Sequence, residues 1–210
     1  MRLFPLLIAA TTLVVAQNTP PPPHGTLSQG ERDRAMSYLH ATQKQVSDTI
    51  AALTPAQLDF HAGPNRWSVG DCLEHLALTE TGLFGMLKGQ VMASPMGSPG
   101  APEKMALTAG KDEAVIQAIS SREVKAKAPE MFVPSHKWKT TAETLAAFRA
   151  ARKETIAYTQ TTPAELRLHF MPIPGGLLDG YQVILMIGAH TERHLAQMKE
   201  VMADPAFPKK

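Results

Sequence analysis

Apolar side chains recur every three or four positions along four long stretches of the chain, a spacing that places them on one face of an α-helix. The stretches predict helices at residues 28–53, 68–89, 141–161 and 178–203. No segment of the sequence shows a convincing strand pattern. The sequence therefore predicts an all-α domain, most simply a four-helix bundle.

Capping signals mark the starts of three of these helices. In a capping box, a Ser or Thr side chain and an acidic side chain three positions later each accept the other's backbone N–H. Pro55 and Pro163 stand where the first and third helices have to end, because proline cannot continue a helix. The predicted pairs are Ser28 with Glu31, Ser68 with Asp71, and Thr140 or Thr141 with Glu143 or Thr144.

The connection between the second and third long helices is long. Residues 94–108 are rich in Pro, Gly and Ser and are expected to form a loop, whereas residues 111–121 fit a short helix. Residues 123–139 are expected to be irregular but packed over one end of the domain, and long connections of this kind are often functional. Residues 162–177, before the last helix, form a further connection with a Gly-Gly turn.

The N-terminal residues are predicted to lie outside the folded domain. Arg2 precedes an apolar run with a cleavage position after residue 16, so residues 1–16 are typical of a secretory signal peptide. The run is shorter than the ~20 residues that span a bilayer, and no stable membrane anchor is expected after cleavage. Residues 17–27 form a proline-rich linker and residues 28–208 the folded domain. The mature protein is expected to be exported to the periplasm or the extracellular space.

Composition and charge narrow the range of functions. The net charge of +2 is small and no basic run is dense, so the chain lacks the electrostatic footprint of a nucleic-acid-binding protein. Hydrophobic residues make up 44% of the chain, which is enough for a sizeable core. Cys72 is the only cysteine, so no intrachain disulfide can form. With nucleic acid excluded by the charge, a small molecule is the expected partner. Association of two copies through helix faces is left open.

Two histidines of the last helix occupy positions that the helical pattern assigns to the core. His190 and His194 lie four residues apart and so share one helix face. His75 lies within the apolar face of the second long helix. The apolar residues above and below the pair in the last helix are Val183, Ile187, Met198 and Val201.

Three buried imidazoles need partners, because each would otherwise cost about 1–3 kcal/mol. One metal ion shared by the three rings removes this cost, and three protein ligands with one open position are typical of a catalytic site. Such an ion can lower the pKa of a bound water or thiol. The alternative is that each ring hydrogen-bonds a hydroxyl group, for which the candidates are Thr79, Thr155, Thr159 and Thr191.

Other polar residues have two interpretations each. Cys72 shares the helix face of the second-helix histidine and is either a fourth ligand or a buried apolar side chain. His169, in the connection before the last helix, either lines the mouth of the pocket or has no part in it. Glu74 and Glu80 are candidate catalytic helpers, but both are interpreted as solvent-exposed charges, and Arg193 as one partner of a surface ion pair.

Two segments resemble the DinB-like (DinB/YfiT-like) superfamily of four-helix-bundle metalloproteins. They are WSVGDCLEHLALTE and HTERHLAQMKEVMADPAFP, supported by APEMFVPSHKW, by TAETLAAFRAARKETI and by the Gly-rich turn before the last helix. The resemblance extends over residues 28 to 208. It implies a divalent metal ion, most often nickel or zinc, bound by three histidines that correspond to His75, His190 and His194.

The same resemblance implies a range of activities. Characterised relatives include thiol S-transferases and a thiol-dependent isomerase, and many others are described only as hydrolases. The sequence therefore predicts an exported metal-dependent enzyme of the hydrolase or thiol-transferase type that acts on a small molecule. The alternatives are a metal-binding or stress-related bundle without catalysis, and a helical bundle whose histidines hold hydrogen bonds and no ion.

Overall fold

The computed structural model describes residues 25–94, 101–123, 127–173 and 176–209. The predicted signal peptide and most of the predicted linker lie outside the described residues. The described chain folds into α1 (Gln29–Ala51), the single turn α2 (Pro55–Leu58), α3 (Val69–Met86) with a π-helical turn at Leu87–Val91, α4 (Ala101–Thr108), α5 (Asp112–Ser120), α6 (Thr141–Thr161) and α7 (Gly180–Met202).

The four long helices α1, α3, α6 and α7 form a bundle. Each of α1 and α3 packs against both α6 and α7, so α1 and α3 lie diagonally opposite each other. The short helix α5 packs along α7. The predicted all-α four-helix bundle is therefore confirmed, and its long connection between the second and third bundle helices holds α4 and α5.

Capping boxes fix where the bundle helices begin. The boxes predicted at Ser28, Ser68 and Thr140 are all present. A fourth, Asp179 with Gln182, opens α7 and was not predicted from the sequence. Each box satisfies backbone N–H groups that the first turn of a helix leaves without partners.

Two local predictions were wrong. The segment predicted as a loop at 94–108 contains α4, in which Pro102 stands in the first turn, where its missing N–H costs nothing. No strand was predicted anywhere in the chain, but a short antiparallel hairpin precedes α7, with β1 (Phe170–Ile173) paired to β2 (Gly176–Asp179). The hairpin leads directly into the capping box of α7, so it sets where that helix starts.

The interior of the bundle consists of two apolar clusters with polar residues between them. One cluster contains Leu39, Phe84, Ile156 and Ile187, and the other contains Val46, Leu73, Phe148 and Met198. Every bundle helix carries at least one buried polar residue between the two clusters. We call these residues the central polar layer, and they are Thr42 on α1, Thr79 and Glu80 on α3, Arg152 and Thr155 on α6, and Thr191 on α7.

In the part of the chain that the structure describes, no helix combines the length and the apolar character needed to cross a bilayer.

Candidate metal centre

The structure brings the three predicted histidines together beside the central polar layer. His75 comes from α3, and His190 and His194 come from consecutive turns of α7. The His190 Nε2 atom lies 3.3 Å from His75 Nε2 and 3.2 Å from His194 Nε2. The sequence pattern thus identified all the members of this cluster, although their role as ligands stays a prediction.

The hydrogen bonds of His75 determine which of its nitrogens faces the cluster. Its Nδ1 lies 2.7 Å from the carbonyl oxygen of Phe132, which can only accept, so Nδ1 carries the proton and donates. The Nε2 lone pair is therefore free and points at the other two rings. A second ring nitrogen held by a backbone carbonyl is the usual way in which proteins orient a ligating histidine.

The other two rings have weaker support behind them. His190 Nδ1 lies 3.5 Å from Thr79 Oγ1, a hydroxyl that already donates to the His75 carbonyl oxygen at 2.8 Å. His194 Nδ1 has no hydrogen-bond partner, and no other buried side-chain nitrogen or oxygen of the described residues is in that state. An unpartnered polar atom in a buried site costs free energy. Hydrogen bonds through Nδ1 therefore do not explain why the His194 ring is buried here.

All three rings are neutral at physiological pH. Burial lowers the pKa of His190 to about 3, with added repulsion from His75 and from the guanidinium groups of Arg193 and Arg152. Burial likewise lowers the pKa of His194 and that of His75. A neutral imidazole keeps a lone pair on one nitrogen, which is the form that binds metal.

The donor geometry fits one shared ion. One nitrogen from each histidine can be chosen so that the three atoms lie within 4.8 Å of one another. Two nitrogens that share a tetrahedral ion at about 2.0–2.1 Å would lie about 3.3–3.4 Å apart. The separations of 3.2 and 3.3 Å among the Nε2 atoms are close to that value. Among the described residues, no other three His, Cys, Asp or Glu side chains bring ligand atoms this close together.

Trp67 packs against one side of the cluster. Its ring centroid lies 4.7 Å from that of His75 and 6.0 Å from that of His194, and the indole is only partly exposed. The residue immediately precedes the Ser68 cap, so the start of α3 fixes its position. Sequence reasoning did not assign a role to Trp67, because its contact with α7 depends on the tertiary fold.

The interpretation of Glu80 as a solvated charge was wrong. Its side chain is 2% exposed and forms an ion pair with Arg152, with Nε to Oε1 at 2.7 Å. The partner lies 72 residues further along the chain, and the apolar pattern of α3 gives no sign of it. An acidic side chain is almost never buried unless it is paired, and here the pairing explains the burial.

The interpretation of Glu74 as a surface residue was also wrong. Glu74 is 6% exposed, and its carboxylate accepts backbone N–H groups from residues 135–137. The helical geometry was right, since Glu74 does point away from the centre. The connection between α5 and α6, however, covers the face that the sequence left open to solvent.

The hydroxyl groups proposed as alternative partners are mostly engaged elsewhere. Thr155 donates to Glu80, Thr191 accepts from Arg152, and Thr159 donates to the Thr155 carbonyl oxygen. Of the four proposed hydroxyls, Thr79 alone contacts a ring of the cluster, and at 3.5 Å that contact is long. Hydroxyl partners therefore account poorly for the burial of these histidines.

The remaining candidates do not join the cluster. Cys72 is fully buried in an apolar cluster, and burial raises the pKa of its thiol, as expected for an apolar residue. His169 is buried too, but its Nδ1 lies 2.8 Å from the Ser94 carbonyl oxygen at the other end of α7. Arg193 is partly exposed, and its charge contributes to the lowered pKa values of His190 and His194.

Comparison with known proteins agrees with this fold. The sequence model of the DinB superfamily matches residues 38–198. The chain is 24% identical over 167 residues to the uncharacterized protein YuaE of Bacillus subtilis (strain 168), covering 79% of this chain and 96% of YuaE. The solved structure of YfiT from Bacillus subtilis is described as a probable metal-dependent hydrolase with an unusual four-helix bundle topology. It matches with a TM-score of 0.52 and 12% identity, over 86% of this chain and 90% of YfiT. At that identity the match to YfiT speaks for the fold.

Proposed function

This chain belongs to the DinB superfamily, and from that premise we propose that it is a metal-dependent enzyme of the hydrolase type that acts on a small molecule. One observation carries the proposal. Three neutral, largely buried imidazoles converge, with the Nε2 atom of His190 3.3 Å from that of His75 and 3.2 Å from that of His194. A shared divalent ion accounts for this arrangement better than hydrogen bonds do.

His75, His190 and His194 would hold the ion, and zinc and nickel both suit imidazole ligands. When bound, such an ion supplies Lewis acidity to a substrate at its open positions. The residues of this chain prepare the site for that chemistry. Phe132 fixes the tautomer of His75 through its carbonyl oxygen, and the Trp67 indole excludes water from one side of the rings.

Two observations favour hydrolysis over thiol transfer. The structural neighbour YfiT is described as a probable metal-dependent hydrolase. The predicted signal peptide would also carry the protein to an oxidising compartment, where thiols are not kept reduced as they are in the cytosol. We extend the proposal to export: mass spectrometry of the protein from its native host should find a mature chain that starts near Gln17. A cytosolic chain that retains residues 1–16 would contradict export and leave the metal site unaffected.

The alternative function is structural. The cluster lies where α3 meets α7, so an ion there would join two bundle helices and contribute folding free energy without catalysis. Both functions predict metal binding, but only the enzyme predicts turnover. The alternative gains support if metal raises the unfolding temperature while no substrate is converted.

The test is reconstitution. Protein purified without an affinity tag is stripped with a chelator, reloaded with zinc or nickel, and assayed against ester, amide and thiol-conjugation substrates. We expect ester or amide hydrolysis that is lost on stripping and restored by metal. His190→Ala should abolish it, whereas His40→Ala, a matched change at an exposed histidine of α1, should not. Hydrolysis that persists in stripped protein would contradict the proposed mechanism.

A further inference from the structure

The backbone of residues 135–137 folds around the carboxylate of Glu74. Oε1 accepts N–H groups from Ser135 at 3.0 Å and Lys137 at 2.9 Å, and Oε2 accepts that of His136 at 3.1 Å. Three consecutive backbone donors thus converge on one side chain that is 6% exposed. Hydrogen bonds to an ionised acceptor are about twice as strong as neutral ones, so this is a firm attachment.

The backbone conformation at His136 makes the convergence possible. His136 has a φ of 58°, in the left-handed region that non-glycine residues seldom adopt. A left-handed residue within a turn can bring successive N–H groups to one side, where they form a concave site for an anion. The three hydrogen bonds to Glu74 help to hold this uncommon conformation.

The same loop carries the carbonyl group that orients His75. Phe132 lies three residues before Ser135, and its carbonyl oxygen accepts the His75 Nδ1 proton at 2.7 Å. Glu74 and His75 are neighbours on α3 and point about 100° apart. Glu74 therefore holds the loop from the outside by accepting its N–H groups, while His75 donates a hydrogen bond to the same loop.

We infer that Glu74 is a positioning residue, which holds the 132–137 loop so that the Phe132 carbonyl fixes the tautomer of His75. Without that attachment, the loop would move away and His75 could place its proton on either nitrogen. The Nε2 lone pair would then be available for only part of the time. The importance of this device for metal binding rests on the proposed function, but its effect on the tautomer does not.

The test uses metal-free, 15N-labelled protein and two-bond 1H–15N correlation spectra, which report the tautomer of each imidazole. In the wild type we expect His75 to carry its proton on Nδ1. Glu74→Gln keeps the size of the side chain but replaces one acceptor by a donor, so it cannot accept all three N–H groups. We expect His75 in this variant to show a mixture of tautomers or the Nε2 proton.

Glu143→Gln is the matched control. Glu143 accepts the N–H groups of Lys139 at 2.9 Å and Thr140 at 3.2 Å, at the far end of the same connection. The same chemical change there should leave the His75 tautomer as in the wild type. Glu74→Asp keeps the charge but shortens the reach, and it should restore the Nδ1 tautomer in part. If circular dichroism shows that Glu74→Gln does not fold, Glu74→Asp takes its place in the test.

Zinc affinity, measured by competition with a chelator, is the second readout. Loss of a residue that orients a metal ligand lowers affinity by about 10–100-fold, which is our expectation for Glu74→Gln against Glu143→Gln. An unchanged His75 tautomer in folded Glu74→Gln protein would overturn the inference. If the wild type binds no zinc while Glu74→Gln still shows the predicted tautomer shift, the proposed function is contradicted and the positioning role of Glu74 stands.

Discussion

Arg152 and Glu80 form a two-armed ion pair in the centre of the bundle, with Nε to Oε1 at 2.7 Å and Nη2 to Oε2 at 2.8 Å. The guanidinium also donates to the Leu39 carbonyl oxygen, to Thr42 Oγ1 and to Thr191 Oγ1. One side chain of α6 therefore bonds to all three other bundle helices. Glu80 and Thr191 adjoin Thr79 and His190, so this pair fixes how α3 and α7 face each other at the histidine cluster.

We expect Arg152→Ala to lower the free energy of unfolding by about 3–5 kcal/mol, because it leaves the buried Glu80 carboxylate without its partner. Urea unfolding followed by circular dichroism measures the change. Arg149→Ala is the matched control, since Arg149 is exposed on the same helix and donates to Ser47 at 3.0 Å. Its effect should stay within about 0.5 kcal/mol. Equal losses in the two variants would contradict the central role of the pair.

Gly82 on α3 leaves room for the Phe132 ring. A Cβ at this position would lie 2.5 Å from Phe132 Cζ and closer still to Cε1. We expect Gly82→Ala to lower the free energy of unfolding by about 1–3 kcal/mol, as overpacking usually does. Gly85→Ala, one turn further along the same helix with no atom within 4 Å of the new Cβ, should instead stabilise by up to about 1 kcal/mol. If Gly85→Ala lost more stability than Gly82→Ala in urea unfolding, the Phe132 ring would have to move out of the way of the added methyl group at no cost.

The metal-free protein should lose stability as the pH falls below about 6.5, the pKa of histidine in an unfolded chain. The folded-state pKa of His190 is about 3, and those of His75 and His194 are also lowered. Between these limits the unfolded chain takes up protons that the folded protein does not, so each ring lowers the free energy of unfolding by up to about 1.4 kcal/mol per pH unit.

Urea unfolding in the presence of a chelator, at about pH 7.5 and about pH 5.5, measures this slope above the range where carboxylates titrate. His190→Asn removes one titrating ring and should reduce the slope. Identical unfolding free energies at the two pH values in the wild type would contradict the buried, neutral state of the cluster.

The sequence predicted what depends on local periodicity. Capping boxes and apolar spacing located the four bundle helices, and the positions of His190 and His194 on the apolar stripe of α7 pointed them inward. His75 was identified in the same way on α3. These features are visible because a helix repeats its environment every three or four residues.

The features that the sequence did not predict depend on contacts between distant segments. Glu80 finds Arg152 72 residues away, and Glu74 finds the backbone of residues 135–137, more than 60 residues away. Periodicity treats a charged side chain as exposed and cannot show that another element covers it. The carbonyl oxygen of Phe132 leaves no signal at all, because every residue has one.

Direct measurement of metal binding tests the central claim. Stripped, untagged protein is titrated with zinc and with nickel by calorimetry, alongside His194→Ala and the control His169→Ala, in which the lost histidine is equally buried but lies with Ser94. We predict about one equivalent of tightly bound ion in the wild type and the control. His194→Ala should bind far more weakly. Equal binding by His194→Ala and the wild type, or none by the wild type, would contradict the assignment of the metal centre.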